Sequence, residues 1–198
     1  MMQEILQQTT WQEWLGVCFS VVQVLLARKN NSNNYLFGIA GISLSLYVMF
    51  FAKLYAEFTL NLYYLVMSIY GWLYWKFGKR HSETVISETT TQEKWITAGI
   101  VAGTFILFWF FLTQFTDSDV AILDSLVSAF AWAGMWLMAR RKIENWVLLN
   151  ISNIIAIPLL IHKGLYLYAV LTAFLFIVAI SGYLEWRKII KSKDVAVV

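Results

Sequence analysis

Charge, proline, cysteine and histidine are all scarce in this chain. Of its 198 residues 14% are charged, one is proline, one is cysteine and two are histidine. An ordinary soluble domain carries about 25% charged residues. With 60% hydrophobic residues, this chain could not hide its apolar surface in water. Cys18 stands alone, which excludes an internal disulfide and a cysteine-built metal site. His81 lies in a polar loop and His162 at a helix end, so no histidine cluster ligates a metal or relays protons. No nucleophile-and-base set, phosphate loop or nucleotide motif occurs. No enzyme activity, cofactor, metal or nucleic-acid partner is therefore expected. The opening "MMQEILQQTTWQEW" has no basic n-region and carries Glu4 and Glu13, so it does not read as a cleaved signal peptide.

What is abundant is apolar sequence in runs of membrane-spanning length. Seven segments approach the roughly 20 residues a bilayer requires. They run from Trp11 to Ala27, Tyr35 to Ala52, Leu54 to Phe77, Trp95 to Gln114, Val120 to Ala139, Asn145 to Ile161 and Leu165 to Trp186. The expected fold class is an all-α integral membrane protein with seven transmembrane helices. The polar stretch "GKRHSETVISETTTQEK" between the third and fourth reads as a flexible connector.

Basic residues set the orientation. Only Lys53 and Lys163 fall on the N-terminal side of the membrane, and the other 13 of the 15 Lys and Arg fall opposite. This predicts the N-terminus outside and the C-terminus in the cytoplasm.

A repeat underlies the seven segments. "NNYLFGIAG" corresponds to "ENWVLLNIS", with Asn34 over Asn145 and Tyr35 over Trp146, an offset of 111 residues. The same offset sets Gly71 on Gly182, Trp75 on Trp186 and Lys76 on Arg187. The expected organisation is 3+1+3. Residues 11–77 form one three-helix repeat, 78–94 a cytoplasmic polar loop, 95–114 a linker helix and 119–188 the second repeat. One extra crossing between two three-helix units makes the repeats parallel, and transporters built so bind substrate between the halves.

Polar groups gather on single helix faces. The sixth segment offers Trp146, Asn150, Asn153 and Ile157, and the third offers Asn61, Tyr64, Ser68 and Trp72. The fifth offers Asp124, Ser128, Trp132 and Trp136, and the seventh Tyr168, Thr172, Phe176 and Tyr183. Rings beside hydrogen-bonding groups suit a central cavity for a flat ligand. The candidate substrate-binding residues are Asn61, Tyr64, Ser128, Trp132, Trp136, Trp146, Asn150, Asn153 and Tyr168. Asp124 and Glu57, near the outer ends of their helices, suit a vestibule as well as a binding role. Small polar residues also join membrane helices without binding anything, which is the competing account of the serines. Glu144 and Glu185 sit among arginines, where local charge pairing is expected. Pro158 frees a backbone carbonyl in the sixth segment. The seventh segment has no lysine, which excludes a retinal-type photoreceptor, and no carboxylate pair lies at mid-membrane depth to couple ions. A passive carrier remains; a non-transporting receptor or scaffold is the alternative from another class.

The chain resembles the Pnu-type vitamin transporters of bacteria. The resemblance rests on "SIYGWLYW", "MARRKIENW", "HKGLYLYAV" and "SGYLEWRK", and spans residues 11–190. It implies a SWEET-like fold, facilitated diffusion of a water-soluble B vitamin, and a cytoplasmic kinase that traps the product. It also implies a binding role for Asn153. Members of the nicotinamide riboside type carry a second tryptophan where this chain has Leu149, and an early tryptophan where it has Tyr35. Other members of the family carry thiamine, and thiamine and nicotinamide riboside are both flat permanent cations suited to aromatic rings. Loss of a ring would open space for thiamine, so thiamine is the expected substrate, with nicotinamide riboside the alternative and riboflavin third. A homo-oligomer is compatible with the sequence.

Overall fold

The structure is a computed structural model that describes residues 11–51, 55–77 and 85–196. The chain divides into two compact units, Met1–Thr84 and Val85–Val198. Seven helices occur among the described residues. In the first unit α1 (Trp11–Arg28) packs on α2 (Asn34–Phe51), and α2 on α3 (Tyr55–Phe77). In the second, α4 (Thr91–Phe115), α5 (Ala121–Ala139), α6 (Asn145–His162) and α7 (Tyr166–Ala196) pack in sequence order, each on the next. These helices match the seven expected segments closely. By length and composition α4, α5, α6 and α7 can each cross a membrane. The protein is a multi-pass membrane protein.

Helix packing in a bilayer lacks the hydrophobic drive available in water, so small residues are needed to let backbones approach. Ala121, Ser125, Ala129 and Ala133 recur every four residues along α5, and all four are buried. Gly134 continues the seam. A Cβ there would lie 2.8 Å from the side chain of Leu149 on α6. Ser152 of α6 donates to the Val127 carbonyl of α5 at 2.8 Å. Helix-to-helix bonding is thus what one of the membrane serines does. Ser20, Ser45 and Ser125 instead return their hydroxyl to the carbonyl four residues earlier.

The α1–α2 and α5–α6 corners are built alike at an offset of 111 residues. Asn30 (φ 54°) and Arg141 (φ 56°) both take the left-handed conformation. Asn31 N donates to Leu26 O at 3.0 Å, and Lys142 N to Leu137 O at 2.9 Å. The amides of Asn34 and Asn145 then each donate to the carbonyl three residues earlier. Beyond the corner, Tyr35 meets Trp75 edge-on at 5.2 Å and Trp146 meets Trp186 at 5.5 Å. Each first ring lies over a glycine, Gly71 or Gly182, where a Cβ would come within 2.5 or 2.8 Å of it.

Pro158 lies inside α6, which runs on to His162, as the sixth expected segment did. Two expectations are revised. Part of the polar connector is docked, not loose. Ile86 is buried, Ser87 forms a parallel bridge with Lys142, and Thr89 donates from its backbone N–H (2.8 Å) and its hydroxyl to Glu144. α4 also begins four residues earlier than expected, because Thr90 and Glu93 form a capping box. Lys53 and His81 lie outside the described residues.

Candidate functional site

Two of the candidate residues meet in one cleft. Trp146 and Asn150 on α6 join Phe176 and Tyr183 on α7 around a space of about 350 Å³, completed by aliphatic side chains. The two polar atoms here are complementary. Trp146 Nε1 can only donate and Asn150 Oδ1 can only accept. Both atoms are buried and have no hydrogen-bond partner among the described residues. A buried polar group left unpaired costs about 1–3 kcal/mol; both side chains line the cleft, so a small turn of either toward it would let a ligand with one acceptor and one donor recover that cost. Asn150 is held there by its register on α6, one turn beyond Trp146, whose ring is fixed between Gly182 and Trp186.

The other candidates have different surroundings. Trp132 of α5 turns edge-on to Phe108 of α4 at 5.2 Å, and Trp136 lies 5.5 Å from the Arg140 guanidinium. Neither joins the α6–α7 cleft. Ser128 and Asn153 are half-buried on α5 and α6 and are not among that cleft's lining residues. Tyr168 is half-buried on α7. It precedes Phe176 by two turns, about 12 Å along the axis. In the first unit Asn61 Nδ2 donates to Met49 Sδ at 3.4 Å, and the Tyr64 ring stands 6.0 Å from that of Tyr63. Asp124 is ion-paired with Lys163 at 2.7 Å and accepts from Ser118 at 3.4 Å. His162 meets Asp119 at 3.0 Å, and that contact holds the fully exposed Asp119 carboxyl below its ordinary range. The Glu57 side chain lies outside the described residues.

A charged cluster escaped the sequence reading. Glu93, buried in the first turn of α4, receives Arg140 Nε at 3.2 Å and Lys142 Nζ at 3.0 Å. Its second oxygen also accepts from the Thr90 N–H and hydroxyl, both at 2.9 Å. The pattern Thr90-x-x-Glu93 before an apolar run was the available signal. Glu144, expected to pair with arginine, is bound by Thr89.

The chain thus has a membrane-spanning helical body with an aromatic cleft carrying an unpaired donor and acceptor, the marks of a small-molecule carrier. Residues 10–188 match the nicotinamide mononucleotide transporter family, and the chain belongs to this family, the Pnu-type vitamin transporters. It is 24% identical over 203 residues to the nicotinamide riboside transporter PnuC of Escherichia coli strain K12, covering 89% of this chain and 85% of that one. The PnuC of Haemophilus influenzae is 27% identical over 186 residues, covering 92% and 81%. That of Neisseria mucosa is 25% identical over 206 residues, covering 92% and 74%. The crystal structure of the vitamin B3 transporter PnuC has the same fold, with TM-score 0.74 and 21% identity over 96% of this chain and 87% of that one.

Proposed function

We propose that the protein carries nicotinamide riboside across the bacterial inner membrane by facilitated diffusion, N-terminus outside and C-terminus in the cytoplasm, with a cytoplasmic kinase trapping the vitamin. The observation that carries this reading is the unpaired donor and acceptor, Trp146 Nε1 and Asn150 Oδ1, in a cleft with Phe176 and Tyr183. Nicotinamide riboside presents a flat cationic ring, suited to aromatic faces, and a carboxamide that offers one acceptor and two donors. The curated relatives named above carry that vitamin in their names. Asn153, Ser128, Trp132, Trp136 and Tyr168 in the second unit, and Asn61 and Tyr64 in the first, are proposed as further substrate contacts.

The expectation of thiamine finds no support among these relatives, and its physical basis fails as well. It rested on Leu149 and Tyr35 opening space for a larger ligand. Leu149 instead fills the notch above Gly134, and Tyr35 fills the notch above Gly71 against Trp75. Both residues are used in helix packing, so neither position shows the open space that the expectation relied on.

The test is counterflow of labelled nicotinamide riboside in proteoliposomes without an ion gradient. Exchange that Asn150→Ala abolishes supports the reading. Exchange requiring a proton or sodium gradient, or none with this vitamin, contradicts it.

A further inference from the structure

We propose that a second cleft, between α4, α5 and α6, binds one acyl chain of an anionic phospholipid, with Lys94 at its phosphate. The cleft has a volume of about 580 Å³ and lies in the second unit, away from the Trp146–Asn150 pair. Ala98, Val101, Ala102 and Phe105 of α4 face Leu126 and Leu137 of α5 and Leu148 of α6 across it. From Lys94 to Phe105 it extends along α4 for about 16 Å, much of one leaflet's depth. Only 6% of the apolar window of α4 is buried in the protein, so this wall faces the surroundings, which for a spanning helix are lipid. An apolar slot of this size in hydrocarbon fills, because an empty one forfeits dispersion contacts on every wall.

Charge selects the head group. At this end Arg140 and Lys142 meet Glu93, and Lys94 and Glu144 line the cleft. Both carboxylates are already engaged. Glu93 is held by Arg140 and Lys142, and Glu144, which lines the cleft, is bound through both oxygens by Thr89. Lys94 lines the same cleft and makes no ion pair among the described residues. The adjacent Trp95 is the most exposed aromatic of α4, suited to head-group depth. A basic pocket between membrane helices with an apolar floor is the general form of a lipid head-group site.

The experiment is native mass spectrometry of the purified full chain with added dioleoylphosphatidylglycerol or dioleoylphosphatidylcholine. The parent should bind the anionic lipid preferentially. Lys94→Gln should cut that preference about fivefold and leave phosphatidylcholine unchanged. Ala102→Phe, which fills the slot, should remove the tightest lipid of either kind; thermal unfolding reports whether it folds, and the exposed Lys94→Gln decides the matter if it does not. Equal binding of the two lipids by the parent, an unchanged preference in Lys94→Gln, or lipid retained by a folded Ala102→Phe would overturn the proposal. So would displacement by inorganic phosphate, which marks a phosphate site, or a dimer mass lost in Ala102→Phe, which marks a second copy of the chain as the occupant.

Discussion

Gly182→Ala tests whether the ring clamp is what fixes the helix that carries Asn150. An alanine Cβ there would sit 2.8 Å from Cε2 and Cζ2 of Trp146, a ring that is 1% exposed and closed in by Trp186. Forcing extra volume into such a contact costs about 1–3 kcal/mol, while glycine to alanine in a helix returns up to about 1 kcal/mol. The net expectation is a loss of about 1–2 kcal/mol. Gly71→Ala should lose at least as much, because its Cβ would come within 2.5 Å of the Tyr35 ring. Gly99 and Gly103 of α4 supply the control, since nothing lies within 4 Å of a Cβ at either. Their alanine variants should equal the parent or exceed it by up to about 1 kcal/mol. Trp146→Leu combined with Gly182→Ala should lose less than the sum of the two single changes, with a coupling of about 0.5–3 kcal/mol. Thermal unfolding in detergent, followed by tryptophan fluorescence, orders the set. The reasoning is refuted if Gly182→Ala is as stable as the parent, or if Gly99→Ala and Gly103→Ala lose as much as Gly182→Ala.

Further outcomes follow from other contacts. Glu93→Gln leaves Arg140 and Lys142 short of their shared carboxylate and should cost about 2 kcal/mol or more, seen as a lower unfolding temperature. Glu144→Ala should free the segment at Ile86–Thr89, raising its hydrogen exchange while that of α6 stays protected; unchanged exchange would show that Thr89 does not hold it. Asp119→Asn addresses pH. Because His162 lowers the Asp119 pKa, the pair contributes above the ordinary aspartate range, and that contribution fades as pH falls through the lowered value. Parent and variant should therefore differ slightly at pH 7 and coincide in strong acid. Both groups are exposed, so a large difference at neutral pH would contradict this account.

The seven helix positions were legible as apolar runs, and among the described residues α4, α5, α6 and α7 have the length and apolar composition a bilayer imposes. The pairing of Asn34 with Asn145 and Gly71 with Gly182 was also legible, and the contacts explain why: each pair occupies the same place in a turn or under a ring. The site was only partly legible. Periodicity names a face of a helix but not its neighbour, so Trp132 and Trp136 shared a stripe with Asp124 yet meet Phe108 and Arg140. Trp146 and Asn150 share one cleft because α7 brings Phe176 and Tyr183 alongside them. Leu149 was read as a pocket residue because nothing in the sequence marks Gly134 as its seat. The docked segment at Ser87–Thr89 was misread because polar composition resembles a linker, whereas a backbone bridge and a carboxylate contact are invisible to composition.

Calorimetric titration of the purified protein with nicotinamide riboside, thiamine and riboflavin tests the central claim most directly. The account predicts saturable binding of nicotinamide riboside, weakened at least tenfold by Asn150→Ala, about 1.4 kcal/mol for a lost buried hydrogen bond. Saturable binding of thiamine with none of nicotinamide riboside would contradict it, and would return Leu149 and Tyr35 to the centre of substrate choice.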